Sequence, residues 1–175
     1  MIFLAILLLL QSNIKAQSFY SLPIKDIDGA AINLTALKGK NILFIMAPVT
    51  TADSVMIYQL DTLQKKYNGQ LAIIGIMSRE DGFTDGAKVA IKALYQGKNI
   101  PITLTEGMYT RKSAGSNQSA LMQWLTKKEN NNRFDIEPRS TGHKFYVGKT
   151  GMLNGVQPTE TSLLGANSYR LINIQ

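Results

Sequence analysis

Asn41-Ile42-Leu43-Phe44-Ile45-Met46-Ala47 and, further on, Leu71-Ala72-Ile73-Ile74-Gly75-Ile76-Met77 are the two runs that decide the fold. Each is almost continuously apolar, the pattern of a strand covered on both faces. Between them, over residues 52–67, Met56, Leu60, Leu63 and Tyr67 recur at spacings of four, three and four. That spacing places them on one stripe of a helix. Asn68-Gly69 supplies the stop. Strand, helix and strand in this order make a βαβ unit, whose two strands run parallel.

Upstream, residues 18–26 read as a strand, Asp28-Gly29 as a tight turn and 31–34 as the return, giving a small N-terminal β-hairpin. Asp26 and Asp28 are turn residues in this reading. Downstream, residues 86–96 read as a shorter helix with Ala87, Ala90, Ile91 and Leu94 on one side. Pro101 introduces a strand over 102–105, and a third helix covers 118–128 with Leu121, Trp124 and Leu125 inward. Residues 130–139 are a polar loop. A second hairpin joins 144–147 to 152–156 through Lys149-Thr150-Gly151, and a closing helix lies near 161–171, weakened by Gly165. The order predicts an α/β, thioredoxin-like fold: a central mixed sheet with helices on both faces and an N-terminal β-hairpin.

Composition narrows the chemistry. The 175 residues are 45% hydrophobic and 18% charged, ordinary for a globular chain. There is no cysteine, so disulfides, zinc–thiolate sites, iron–sulfur clusters and thiol nucleophiles are excluded. His143 is the single histidine. The net charge of +7 comes from basic residues dispersed in pairs at most, such as Lys65-Lys66 and Arg111-Lys112. Neither a basic cluster nor interleaved stacking aromatics is present, so no nucleic-acid partner is expected.

Residues 2–10 carry no polar side chain. The run is too short to span a bilayer and has the length of a signal-peptide core. Ile14 and Ala16 fit signal-peptidase specificity, so cleavage is expected after Ala16. The expected organisation is a signal peptide over 1–16 and one domain over 17–175, exported to the periplasm or the extracellular space. No stable membrane anchor is expected after cleavage, and any partner would be an envelope or extracellular one. Asn33-Leu34-Thr35 and Asn117-Gln118-Ser119 match the glycosylation acceptor pattern, which matters only in a eukaryote.

The stretch Ser18-Phe-Tyr-Ser-Leu-Pro-Ile-Lys-Asp-Ile-Asp-Gly29, followed by Leu37-Lys-Gly-Lys-Asn-Ile-Leu43, resembles the opening of glutathione peroxidases. Leu60-Asp-Thr-Leu-Gln-Lys-Lys-Tyr67, Leu71-Ala-Ile-Ile-Gly75, Asn99-Ile-Pro-Ile102 and Lys144-Phe-Tyr-Val-Gly-Lys-Thr-Gly151 continue the resemblance over nearly the whole mature chain. It implies a selenocysteine or cysteine nucleophile at the first helix, a glutamine after the next strand, and a Trp-Asn pair before a late strand. Carried over by position, these fall on Thr51, Glu80 and the pair Ser140-Thr141, so none is kept. The resemblance therefore implies a degenerate member of the family.

The nucleophile decides the chemistry. Peroxide reduction needs a soft atom that attacks the O–O bond and is itself oxidised, as a thiolate becomes a sulfenic acid. A threonine hydroxyl has no such step, and the simple reading of Thr50-Thr51 is helix capping, with Asp53 favourable in the first turn. Thioredoxin-type exchange would require thiols at Thr51 and Ser54. The expectation is a binding or interaction module with no catalytic residue, cofactor or metal. The alternative is a hydroperoxide reductase using glutathione or thioredoxin in the oxidative stress response. A third reading places hydrolytic or metal chemistry at Glu80, Asp81 and His143. Against it, Glu80 and Asp81 read as an exposed charged loop, and His143 as a surface-loop histidine. Trp124 and the methionines, among them Met46, Met56 and Met77, read as core.

Overall fold

Residues 18–51, 54–96 and 102–174 are described by the computed structural model. The expected leader over 1–16 lies outside them, as do Asp53 and Pro101. The strands are β1 (Asn41–Met46), β2 (Leu71–Ser78), β3 (Thr103–Met108), β4 (Lys144–Val147) and β5 (Leu153–Gln157). They form one mixed sheet in the order β3-β2-β1-β4-β5. β1 runs parallel to β2, from Asn41 opposite Leu71 to Met46 opposite Ile76. β2 is parallel to β3, while β4 is antiparallel to both β1 and β5. The βαβ unit is closed by α1 (Ser54–Lys66).

The apolar runs are continuous because the sheet is covered twice. On one face Leu43 and Ile45 pack with Leu60 and Leu63 of α1. They are joined there by Ile91 and Tyr95 of α2 (Lys88–Gln96) and by Ile172 of α5 (Ala166–Ile172). On the other, Ile42, Phe44 and Met46 pack with Phe19, Leu34 and the α3 (Ala120–Thr126) residues Leu121, Trp124 and Leu125. Trp124 and the methionines Met46, Met56 and Met77 are buried, as core residues should be.

Several boundaries differ from the sequence reading. Residues 18–26 are not a continuous strand: Phe19–Ser21 is a 3-10 turn that drives Phe19 against Trp124, with ring centroids 4.9 Å apart. The N-terminal hairpin is a tight turn with one bridge, Lys25 to Ala31. Asp26 Oδ1 accepts the Asp28 and Ala30 amides at 3.0 and 2.9 Å and so builds that turn. The expected return strand ends in a 3-10 helix, Leu34–Leu37, capped by the Asn33 side chain. A 3-10 turn at Asp85–Ala87 precedes α2 and changes its phase, so Ala90 is exposed and Tyr95 takes the inward place. β3 starts at Thr103 and runs on to Met108. The third helix stops at Thr126, because Lys127 is extended, and a separate turn, α4 (Lys128–Asn131), follows.

Candidate functional site

Four loops meet at the end of the sheet where β1, β2 and β3 finish and β4 begins. In α/β sheets ligands bind at such ends, where neighbouring connections diverge. The loop before β4 is zipped to the end of β1: Gly142 N donates to Met46 O at 2.7 Å, and Met46 N donates to His143 O at 2.9 Å. The loop after β1 is held by Tyr95, whose hydroxyl donates to Pro48 O at 2.9 Å. The loop after β2 lies beside it, since a Cβ on Gly82 would stand 3.5 Å from Val49 Cγ2.

Thr51 is exposed in the loop after β1, three residues before the first residue of α1. Glu80 is engaged elsewhere. Its carboxylate accepts the Thr110 amide at 2.9 and 3.0 Å and the Arg111 amide at 3.0 Å, and the Ser78 hydroxyl donates to it at 3.2 Å. Burial pushes this carboxyl up, but the two amides and the hydroxyl outweigh it and hold it below the ordinary range. Asp81 pairs with the Arg111 guanidinium at 2.7 Å. The same guanidinium donates to Pro138 O at 2.6 Å and Arg139 O at 2.7 Å, so it ties the loop after β3 to the loop before β4. Glu80 is exposed, as expected, and Asp81 is half-buried, and both carboxylates are engaged in hydrogen bonds.

Ser140 and Thr141 line two neighbouring clefts. One, of about 430 Å³, has Ser140, His143, Arg139 and Ile136 in its wall. The other, of about 340 Å³, sets Thr141 and Lys144 against Val55 and Met56 at the start of α1. Thr159 and Glu160 line both. Thr159 also links the pair: its Oγ1 lies 2.8 Å from Ser140 Oγ and donates to Thr141 O at 2.8 Å. The structure therefore brings Ser140-Thr141 to the start of α1. Glu80 and Thr51 line neither cleft. Among the described residues no group of three His, Asp or Glu side chains is placed to hold a metal ion.

His143 is the clear correction. It is 6% exposed rather than a surface-loop residue, and its Nε2 is buried without a hydrogen-bond partner. The ring leans on Phe145 at 5.1 Å. Burial pushes the imidazole down to about 4, with the Lys144 charge adding to the effect and Glu160 opposing it. The folded value lies below the ordinary 6.5, so His143 favours the fold fully above that pH and less as pH falls toward 4. Stability is expected to drop by about 2 kcal/mol over this window relative to His143→Phe. Denaturant titrations of both proteins at a series of pH values check this. The lone imidazole also allows its titration to be followed directly by NMR.

Lys144, Arg111, Tyr95 and the Thr159-Glu160 pair were not anticipated. Only Lys144 carried a signal. In Lys144-Phe-Tyr-Val it alternates with Tyr146, so it must share that residue's inward face.

No family model matches the sequence, and no curated protein sequence does. Solved structures do resemble it. Trgpx in apo form, a glutathione peroxidase-like protein, superposes with a TM-score of 0.64 at 16% identity, over 89% of this chain and 92% of its own. GPX1 of T. cruzi gives 0.58 at 14%, over 84% and 90%. A thiol-disulfide isomerase from Corynebacterium glutamicum gives 0.57 at 14%, over 92% and 99%. The chain has a thioredoxin-like α/β fold, with the mixed sheet and two-sided helical cover of that class.

Proposed function

We propose that this chain is an exported, degenerate glutathione-peroxidase-like protein that performs no peroxide chemistry and acts as a binding module through the paired clefts before β4. The observation that carries the reading is the absence of cysteine, with Thr51 at the position aligned with the family nucleophile. Without a thiol the chain has no atom to accept oxygen from a peroxide and pass the oxidation to glutathione or thioredoxin. The clefts beside Ser140, Thr141 and Lys144 supply the recognition surface. Export rests on the apolar run over 2–10 and on Ala16, with mature protein starting at Gln17.

The rival reading, a hydroperoxide reductase, draws on the likeness to Trgpx and GPX1 of T. cruzi. One assay separates the two. The purified protein is given hydrogen peroxide or an organic hydroperoxide, with glutathione or with thioredoxin and its reductase. Turnover equal to a boiled control is the expected result. Protein-dependent consumption of reductant would overturn the proposal.

A further inference from the structure

Lys144 opens β4 opposite Ile45, and the two side chains share the α1 face of the sheet. The lysine is 3% exposed, and its Nζ donates to Pro158 O at 3.0 Å and Thr159 O at 3.2 Å. Burial pushes Lys144 down to about 8, with Glu160 opposing, so at neutral pH it remains largely an ammonium. An ammonium has three hydrogens. Two are placed, and the third has no acceptor among the described residues. No ion pair among those residues includes Lys144, and Glu160, whose charge it feels, is exposed. A neutral amide donor would hold two carbonyls without the cost of burying a charge. A buried cation is ordinarily met by an anion, and the cleft of about 340 Å³ is where one fits. Lys144 lines this cleft together with Ile45, Pro48, Met56 and Leu163, which give it apolar walls. Val55 and Met56 in its wall belong to the first turn of α1, a helix of 13 residues, so the positive end of that helix dipole lies at the same cleft.

We propose that the cleft binds small carboxylates with an aliphatic tail: the carboxylate accepts the third N–H of Lys144, and the tail lies against Ile45, Pro48, Met56 and Leu163. This ligand class rests on the reading of the paired clefts as a recognition surface. The anion completes the hydrogen bonding of the ammonium and neutralises its charge in one contact, and such charge-assisted bonds are about twice as strong as neutral ones. The apolar walls favour a ligand with a tail over an inorganic anion, which would shed its water against them and gain nothing. Glu160 lines the same cleft and repels an incoming anion, which limits the site to a single negative charge.

The test is a titration of the full chain at neutral pH with hexanoate, with hexanamide as its neutral counterpart and with inorganic phosphate, followed through amide shifts by NMR. Gly142 and Leu163 line the cleft and report binding there. Hexanoate should bind at least about tenfold more tightly than hexanamide. Phosphate should leave both amides unmoved. Lys144→Met keeps an unbranched chain without the charge and should abolish the preference for the acid. Glu160→Gln changes an exposed side chain, so it should tighten hexanoate several-fold and leave hexanamide unchanged. If Lys144→Met does not fold, the parent and Glu160→Gln decide. Equal affinity for acid and amide in the parent, a preference that survives Lys144→Met, or shifts confined to amides outside the cleft would show that Lys144 is only a strut for residues 158–159. That result strikes the ligand class, whereas turnover in the peroxide assay strikes the reading on which it rests.

Discussion

Arg111→Ala is expected to lower the unfolding free energy by about 2–3 kcal/mol. The guanidinium and its Asp81 partner are mostly buried, with side chains 22% and 17% exposed. Removing it leaves the Asp81 carboxylate without its cation while the Oδ2 atom is already buried and unpartnered. It also frees two carbonyls, Pro138 O and Arg139 O, that the same group satisfies. The Arg111 amide still reaches Glu80, so the backbone after β3 stays in place. The loss should therefore concentrate in the loop before β4. Denaturant unfolding measures the total, and hydrogen exchange at the Gly142 and His143 amides locates it. Arg111→Lys should recover less than half of the loss, since the guanidinium serves these acceptors from two separate nitrogens, Nη1 and Nη2, and a single ammonium nitrogen on a shorter stem cannot stand in both places. A loss below about 0.5 kcal/mol would mean that the pair behaves as a solvated surface contact.

Gly107→Ala is expected to cost about 3 kcal/mol and roughly 10 °C in Tm. Gly107 pairs with Met77 in the sheet. A Cβ there would stand 2.0 Å from Phe83 Cδ1 and 2.3 Å from Cε1. Phe83 cannot swing away, being 2% exposed and fixed by its amide, which donates to Ser78 O at 3.0 Å. The backbone at Gly107 is otherwise compatible with alanine, so the penalty is one of space alone. Replacing Phe83 by leucine in the same chain should return part of the lost stability. Thermal unfolding of the three variants beside the parent decides it.

These positions mark where the sequence stops being legible. β1, α1 and β2 were readable because a two-sided burial and a single helical stripe leave strong periodic signatures. β4 and β5 were readable from the turn between them. The N-terminal segment was not. Its alternation looked like a strand, but Phe19 is claimed by Trp124 and Phe44 on one face of the sheet, a contact invisible from local spacing. The third helix was read too long, since nothing in Thr126-Lys127-Lys128 announces that Thr126 Oγ1 turns back to Met122 O. At the site, Ser140 and Thr141 could be placed by their distance from Lys144. The burial of His143 and the three-way grip of Arg111 depend on loops far apart in sequence, and no local pattern encodes them.

The short N-terminal turn has a consequence for how copies of the chain meet one another. β3 is an outer strand, and its free side would offer a row of unsatisfied amides and carbonyls to any passing segment. Residues 25–27 occupy that side: Ile27 N donates to Leu104 O at 2.9 Å, and Glu106 N donates to Lys25 O at 3.0 Å. Asp26, bridged to Thr105, puts a carboxylate beside the strand at the same level. The turn thus works as a stopper against polymerisation. Trimming the chain past Asp26 would bare that side of β3 and also strip Phe19, Leu22 and Ile24 from one face of the core, so the shortened molecule would be both weakened and open to growth by strand addition.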